Sequence, residues 1–447
     1  MKMLIQNNKE IENKKNLLSE ILSKLQKKGA EQVELVLINN EQISINARDK
    51  LVELTESGSI ESLAIRVIKE QRQAILEIQD LSLRSIDQAC EKVLGFTKFS
   101  EHDSYAGIAD AAWFSPLDYC KLDIFNPVDI DMIGIQNELI HAESEGFGAE
   151  NINNSEGSSF SASKTDKWLA NSNGFLEYFA STYYSRSSCF LAQKGNSMER
   201  DYAFDCSRNY SSLRDHSEIA IEASRKAASR LNPVKIKSKE MPVLFSNEAA
   251  RSIISPIISA LSGGNQYQEK SFLLNSLGEN IASKEINFSE RPYDPGMIAT
   301  TPFDSEGVTI HCPDVIKNGM VERYFLSSYS GRKLGLNTTG NAGGVRNLLI
   351  HPTIEEFSQQ VSQIPELFLV TELMGQGVNV VTGDFSRGVT GFLLKYGKVI
   401  HPISEVTIAG NYKDLLHQIV FIGDDIDYRG KINTGSILID KLFISGK

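Results

Sequence analysis

Alternation of apolar and polar residues with a period of two is the feature that most constrains the fold of the first third of the chain. Apolar residues occupy every second position in four segments, namely 33–37, 43–45, 63–67 and 74–78. Strands with this pattern bury one face and leave the other in water, as in an antiparallel meander. The sequence therefore predicts an antiparallel sheet with one solvent-facing side.

Helices are predicted before and after these strands. Apolar residues recur at helical spacing from Ile11 to Leu25, and further helices are predicted over 82–97 and 129–145. A glycine- and asparagine-rich stretch then indicates a domain boundary, and the chain beyond it favours strands and glycine turns. We therefore predict an α+β fold, with an N-terminal helix and antiparallel-sheet domain over 1–150 and a larger β-rich C-terminal domain over 151–447.

Net charge and cysteine content indicate which partners and which compartment to expect. The chain has 57 acidic and 46 basic side chains, a net charge of −11, and no run of five or more Lys or Arg. Such a chain repels a phosphate backbone, so we expect no nucleic-acid partner.

Its five cysteines are an odd number without a CxxC pair, which indicates reduced thiols. No signal-peptide core or apolar stretch long enough to span a bilayer occurs, so we expect a cytoplasmic protein without a membrane partner.

Histidine spacing gives no metal-binding motif. No two of the seven histidines are closer than 16 residues, and an HExxH pair is absent. A site assembled from distant histidines stays open beside the simpler interpretation that these are scattered surface or loop residues.

Two SxxK pairs are the candidate nucleophiles. One turn of helix between Ser and Lys can lower the pKa of the lysine and make it a base. Ser161 and Lys164 lie in a region predicted as strand, where positions three apart face opposite ways. Ser330 and Lys333 therefore remain the only pair that we keep as a candidate hydrolase dyad.

Glycine clusters are the strongest local feature of the second half. None of them fits GxGxxG or the Walker pattern, so a phosphate-binding loop is not predicted. Tight turns in a β-rich domain explain them, and so does a groove in which another backbone lies beside a strand. The clusters are 262–264, 339–344, 375–377 and 383–388.

Nine segments, in the same order along the chain, resemble the TldD/PmbA family. Together they are highly specific, and the resemblance is strong after residue 150 and weak before it. The segments are RDYAFDCSR (200–208), PVLFSNEAAR (242–251), SALSGG (259–264), SFLLNSLG (271–278), PFDSEGV (302–308), LSSYSGRKLG (326–335), TTGNAGG (338–344), VTELMGQGVNVVTGDFSRGVTGF (370–392) and EVTIAGNYKDLL (405–416).

The resemblance implies the TldE/PmbA branch, which lacks the metal site of the TldD branch. The TldD branch has an HExxxH helix and a later cysteine ligand, and the equivalent helix here is predicted over 247–262. Asn247 and Ser252 occupy the histidine positions, Glu248 matches the glutamate, and no cysteine follows Cys312. Amide and hydroxyl oxygens are poor zinc ligands. We therefore expect no metal, cofactor or catalytic residue in this chain, and zinc only in a TldD-type partner.

The resemblance also implies the function and the partners. Members of this branch pair with a TldD-type metalloprotease subunit, and the pair degrades unfolded or leader peptides. We therefore predict a non-catalytic, cleft-forming subunit that binds peptide, with a homodimer expected when the chain is alone. An autonomous Ser/Lys hydrolase stays open as an alternative. So does a non-enzymatic regulator linked to toxin–antitoxin systems or to DNA gyrase, the latter suggested by the older family label, modulator of DNA gyrase.

One segment, from Glu372 to Gly388, is predicted to line the peptide cleft. Val378, Val380 and Val381 suggest a strand, with bare glycine backbone just before it. A hydrogen bond between Asp384 and Arg387 is expected to fix the turn at the end of this strand. The predicted cleft residues are Glu372, Gly375, Gln376, Gly377, Asn379, Asp384 and Arg387.

Overall fold

The structure is a computed structural model that describes residues 8–114 and 119–446. It confirms the predicted α+β class, because a helix-flanked antiparallel sheet precedes a sheet-rich C-terminal region. The elements of the N-terminal half are α1 (Asn8–Lys27), β1 (Gln32–Arg48), β2 (Leu51–Lys69), β3 (Arg72–Ile78), α2 (Leu83–Thr97), α3 (Met132–Gly146), β4 (Ile152–Asn171), β5 (Leu176–Lys194), β6 (Ser197–Ser207) and α4 (His216–Ser229).

These strands form one antiparallel sheet in the order β3-β2-β1-β4-β5-β6. Apolar side chains of α1 and α2 pack on one face, where Leu35, Leu63 and Trp168 are fully buried. The opposite face carries partly exposed polar residues such as Asn40 and Thr165. The one-sided sheet predicted from the alternation is confirmed. The sheet also continues across residue 150, because β4 pairs with β1 from Ser158 to Asn171.

Two of the four predicted apolar segments, 33–37 and 43–45, belong to the single strand β1, which corrects the prediction of separate strands. The intervening polar residues stay in the ladder because their side chains have partners on β4. The Asn40 amide oxygen accepts a 2.9 Å hydrogen bond from Thr165, and Glu41 lies 3.2 Å from the ammonium of Lys164. The three predicted helices are present with bounds that differ by at most three residues.

The C-terminal half contains two further sheets and short helices. Its elements are β7 (Lys239–Phe245), α5 (Asn247–Ala260), α6 (Gly263–Tyr267), β8 (Phe288–Glu290), β9 (Asp314–Lys317), β10 (Met320–Val321), α7 (Ser328–Leu334), β11 (Leu348–Ile350), α8 (Phe357–Ser362), β12 (Leu367–Met374), β13 (Asp384–Lys395), β14 (Lys398–Asn411), α9 (Tyr412–His417), β15 (Ile419–Ile422), β16 (Ile432–Asn433) and β17 (Ile437–Ser445).

One large hydrophobic core joins most of these elements. A six-stranded sheet, β14-β13-β12-β7-β17-β15, and a five-stranded sheet, β10-β9-β8-β11-β16, contribute side chains to the core together with α5. Ala250, Ile253, Ile254 and Ile257 recur at helical spacing and bury one face of α5 in this core. The opposite, polar face of α5 is therefore free to contribute to a site.

No helix in the parts of the chain that the structure describes is long and apolar enough to cross a membrane.

Candidate functional site

A polar cleft of about 370 Å³ lies at the N-terminal end of α5. It is bounded by α4, β6, β12 and the loop that precedes β16. Its lining residues are Asp201, Tyr202, Glu222, Lys226, Ser229, Arg230, Ser246, Asn247, Glu248, Thr371, Glu372, Phe392 and Arg429.

The position of the cleft follows from the parallel pairing of β7 and β12. Val370 of β12 pairs with Phe245 of β7, so both strands point towards the start of α5. Ser246 caps this helix, because its hydroxyl accepts a hydrogen bond from the amide of Ala249. The chain thereby brings Thr371 beside the first turn of α5.

Asn247 and Ser252, the two positions equivalent to histidines, do not form a zinc ligand set. The Asn247 side chain donates a 2.8 Å hydrogen bond to the carbonyl oxygen of Asp425, and its own oxygen accepts one from the amide of Glu248. An amide engaged with the backbone and a serine hydroxyl are poor zinc donors beside imidazole and thiolate, so these two positions do not fit a tetrahedral zinc ion.

Positive side chains surround Glu248, the third position taken from the resemblance. Nη2 of Arg429 donates a 2.7 Å hydrogen bond to Oε1 of Glu248, and Nζ of Lys226 lies 3.6 Å from the same oxygen. Burial lowers the pKa of Lys226, but the Glu248 charge and contacts with Glu222 outweigh it and leave the pKa raised. Burial likewise opposes a raised pKa of Arg429, which Asp427 and then Glu248 nevertheless produce.

Asp427 holds Arg429 from the other side. The two residues share two side-chain hydrogen bonds of 2.9 Å, and Arg251 of α5 lies 2.6 Å from Oδ2 of Asp427. Burial alone would raise the pKa of Asp427, but the Arg429 hydrogen bonds and the Arg251 charge hold it below the usual range. The four residues Glu248, Arg429, Asp427 and Arg251 thus form a continuous chain of alternating charge.

A second ion-pair group forms the opposite wall. Nε of Arg230 lies 2.5 Å from Asp201, and its Nη1 donates a 2.7 Å hydrogen bond to the hydroxyl of Thr390. The same Nη1 is 3.4 Å from the carboxylate of Glu372, which is half-exposed. Tyr202 is also exposed at this wall. Glu372 and Tyr202 therefore present exposed polar groups at this wall.

Of the residues predicted to line a peptide cleft, Glu372 lines this one. The others follow β12 in a turn and the start of β13. Val378 forms only an isolated bridge with Phe385, so the predicted strand over 378–381 is wrong. The reason is that Asn379 folds the segment into a turn, with its side chain accepting hydrogen bonds from the amides of Val381 and Thr382.

The predicted hydrogen bond between Asp384 and Arg387 is also wrong. Asp384 accepts hydrogen bonds from Thr382 and Asn411, whereas Arg387 donates to the carbonyl oxygen of Leu373. Adjacent residues of a strand alternate between faces, so positions three apart in β13 point to opposite sides.

The two glycines of this segment differ in their backbone. Gly375 has a φ of +76° and open space around it, so a left-handed turn explains it. Gly377 has no positive φ. A Cβ at Gly377 would lie 1.9 Å from the carbonyl oxygen of Ser386, and the Ser386 amide donates to the Gly377 carbonyl. Close approach of two backbones therefore excludes any side chain at Gly377.

Ser330 and Lys333, the candidate dyad, have separate partners. The Ser330 hydroxyl accepts a 2.9 Å hydrogen bond from the amide of Ser327 in the capping box of α7, and it is buried. Nζ of Lys333 lies 4.3 Å from the ring centre of Tyr105 and 3.7 Å from Asp103. Across residues 8–114 and 119–446, no group of three or more His, Cys, Asp or Glu is arranged to hold a metal ion.

The sequence did not identify Arg429, Lys226 or Arg230 as site residues. Arg429 is separated from Glu248 by 181 residues, and no local motif marks it. Asp201 and Tyr202 lie in the segment 200–208, which belongs to the family resemblance, so that segment could have indicated them.

Family models and curated relatives match most of the chain. Residues 133–231 match the PmbA/TldA metallopeptidase central domain, and residues 238–446 match the PmbA/TldA metallopeptidase C-terminal domain. The Metalloprotease PmbA of Escherichia coli O157:H7 is 36% identical, covering 98% of both chains. The Metalloprotease PmbA homolog of Haemophilus influenzae is 37% identical over 94% of this chain and 93% of its own. The Metalloprotease TldD homolog of H. influenzae is 22% identical over 46% of this chain and 45% of its own.

Solved structures show the same fold. A Bacteroides thetaiotaomicron protein described as a modulator of DNA gyrase superposes with a TM-score of 0.91 at 23% identity, covering 97% of this chain and 99% of its own. TldE from Thermococcus kodakarensis superposes with a TM-score of 0.82 at 21% identity, covering 96% and 100%.

Proposed function

Because the chain belongs to the PmbA/TldD metallopeptidase family, which ties it to proteolysis, we propose that it is a non-catalytic subunit of a two-chain metalloprotease. Its partner is a TldD-type subunit that carries the HExxxH helix and the zinc ion. The substrates are unfolded or leader peptides, and the pair acts in the cytoplasm. This chain contributes a wall of the peptide cleft and none of the reacting groups.

The observation that carries the proposal is the environment of Glu248. In a zinc protease this glutamate takes a proton from metal-bound water. Here its carboxylate accepts a hydrogen bond from Arg429 and lies near Lys226, and both positions equivalent to histidines offer poor zinc donors. These contacts engage the carboxylate with two side chains of the protein. The geometry therefore supports a structural role for Glu248.

The polar wall of the cleft supports peptide contact without a reacting group. Glu372 and Tyr202 are exposed there, and Arg230 holds the Glu372 carboxylate in place. Such groups can bind peptide N–H and C=O groups irrespective of the side chains that the peptide carries. In this proposal the turn from Gly375 to Arg387 extends the same wall beyond β12.

Copurification tests the pairing. The chain, tagged and expressed in its own cells, is expected to retain a homologue with an HExxxH motif. The complex should cleave an unstructured peptide, and a chelator should stop the cleavage. A chain that retains no such homologue while one is present in the lysate would contradict the proposal.

A further inference from the structure

One nitrogen atom of Arg429 joins two carboxylates in the cleft. Nη2 lies 2.7 Å from Oε1 of Glu248 and 2.9 Å from Oδ2 of Asp427. Nε of the same guanidinium lies 2.9 Å from Oδ1 of Asp427. Two carboxylate oxygens that converge on one point are the arrangement that a divalent cation bridges in many proteins. Here a fixed side-chain nitrogen takes that point.

The guanidinium also contacts β6 and its own turn. Nη1 donates a 2.5 Å hydrogen bond to the carbonyl oxygen of Phe204 on β6, and the guanidinium carbon lies 4.4 Å from the centre of the Phe204 ring. The side chain of Asp427 is only 3% exposed. Since Asp427 also accepts from the Arg429 amide, the pair is locked within one short turn. Arg429 therefore has little freedom to leave the space between the carboxylates.

We propose that Arg429 is a built-in cation that neutralises Glu248 and Asp427 and thereby closes this cleft to divalent metal ions. The inference rests on the proposed non-catalytic role. It adds a physical reason why this cleft would hold no divalent metal ion. Unsuitable residues at the ligand positions leave a site that binds zinc poorly, whereas a fixed positive charge between the remaining carboxylates excludes other cations as well.

The two cations next to these carboxylates also oppose metal binding. Lys226 lies 3.6 Å from Glu248, and Arg251 lies 2.6 Å from Asp427. A metal ion entering between the two carboxylates would have to displace the guanidinium and would then face both remaining cations. Removal of Arg429 leaves Oε1 of Glu248 near Lys226 and Oδ2 of Asp427 near Arg251, and it opens the space between these two oxygens that Nη2 occupied.

Manganese binding by the isolated chain tests the proposal, because carboxylate and carbonyl oxygens suit Mn²⁺. The purified wild type, R429Q and R200Q are titrated with MnCl₂, and free Mn²⁺ is followed by electron paramagnetic resonance. Arg200 is the matched control, since it forms a 3.0 Å pair with Glu156 on the surface. We expect R429Q to bind Mn²⁺ at least about tenfold more tightly than the wild type, and R200Q to match the wild type.

The double variant R429Q/E248Q tests whether the gain in Mn²⁺ affinity comes from the Glu248 carboxylate. We expect it to lose most of the added Mn²⁺ affinity. It is also expected to melt at a higher temperature than R429Q, or to be recovered in soluble form where R429Q is not, because it lacks one of the two carboxylates that lose the Arg429 charge. This second readout holds whether or not R429Q folds.

Three results would overturn the proposal: R429Q with the Mn²⁺ affinity of the wild type, a wild type that binds Mn²⁺ as tightly as R429Q, or a double variant no more stable than R429Q. Each leaves the proposed pairing untouched, because pairing is measured by copurification and not by metal binding.

Discussion

Arg429 donates a 2.7 Å hydrogen bond to Glu248, which precedes it by 181 residues in the chain. The contact forms because α5 starts where the parallel strands β7 and β12 end, and because the loop before β16 passes the same point. It places a permanent positive charge beside Glu248, which the family resemblance matches to the general base of the TldD branch. This contact supports the proposed non-catalytic role of the chain.

The first prediction concerns Gly377. Replacement by valine is expected to lower the free energy of unfolding by roughly 2 kcal/mol or more, because a Cβ would meet the Ser386 carbonyl oxygen at 1.9 Å. Gly264 is the control, since nothing lies within 4 Å of its Cβ position, and G264A should stay close to the wild type. Urea unfolding of both variants measures the difference. A G377V chain that is stable and paired but inactive in the complex would instead favour a peptide groove at this glycine.

A buried ion pair on β4 gives the second prediction. Lys164 and Asp166 are fully buried, with Nζ 2.9 Å from the carboxylate, and Tyr178 donates to the other oxygen of Asp166. K164M is expected to cost about 3 kcal/mol of stability, because it leaves a buried carboxylate without its cation. R200M, which breaks an exposed pair, should cost less than about 0.5 kcal/mol. Equal losses in chemical denaturation would contradict the burial of Lys164.

The third prediction concerns pH. Burial first, and the charge of Glu306 second, raise the pKa of Asp304 to about 6 from its ordinary value of 3.8. The folded state therefore holds the proton more tightly than the unfolded state. The stability that this proton gives is complete below about pH 3.8 and is lost as the pH rises through about 6.

The Asp304→Asn variant isolates this effect, because an amide does not titrate. The stability of the wild type, relative to D304N, should fall by roughly 1 kcal/mol between about pH 5 and about pH 7.5. Unfolding curves of both proteins at the two pH values give the difference. A difference that stays constant, or that grows with pH, would show that the Asp304 carboxyl is not held protonated.

Ser330 provides the fourth prediction, which separates the hydrolase alternative from a capping role. Its hydroxyl belongs to the capping box of α7, so S330A is expected to lower stability by about 1 kcal/mol. Peptide cleavage by the complex should remain chelator-sensitive and unchanged in rate per folded molecule. Activity of the isolated chain that resists chelators and disappears in S330A would establish the Ser/Lys hydrolase instead.

Local patterns predicted the elements of the fold better than they predicted the site. The alternation at Leu35 and Leu63 identified the one-sided sheet, because burial of one face is a local property of each strand. The polar residues around Asn40 suggested a break in β1, yet their partners lie on β4, more than 120 residues away. The same limit applies to the cleft. Glu248 was identified from a motif, whereas Arg429 contributes through a contact that only the folded chain creates.

Peptide cleavage by the chain alone, by its TldD-type partner alone and by the mixture shows which subunit carries the active site. We expect no cleavage of an unstructured peptide by this chain at any zinc concentration. We also expect chelator-sensitive cleavage by the mixture that exceeds the rate of the partner alone. Zinc-dependent cleavage by this chain alone, abolished by Glu248→Gln, would refute the non-catalytic role, because Glu248 would then act as a base and the active site would lie in this subunit.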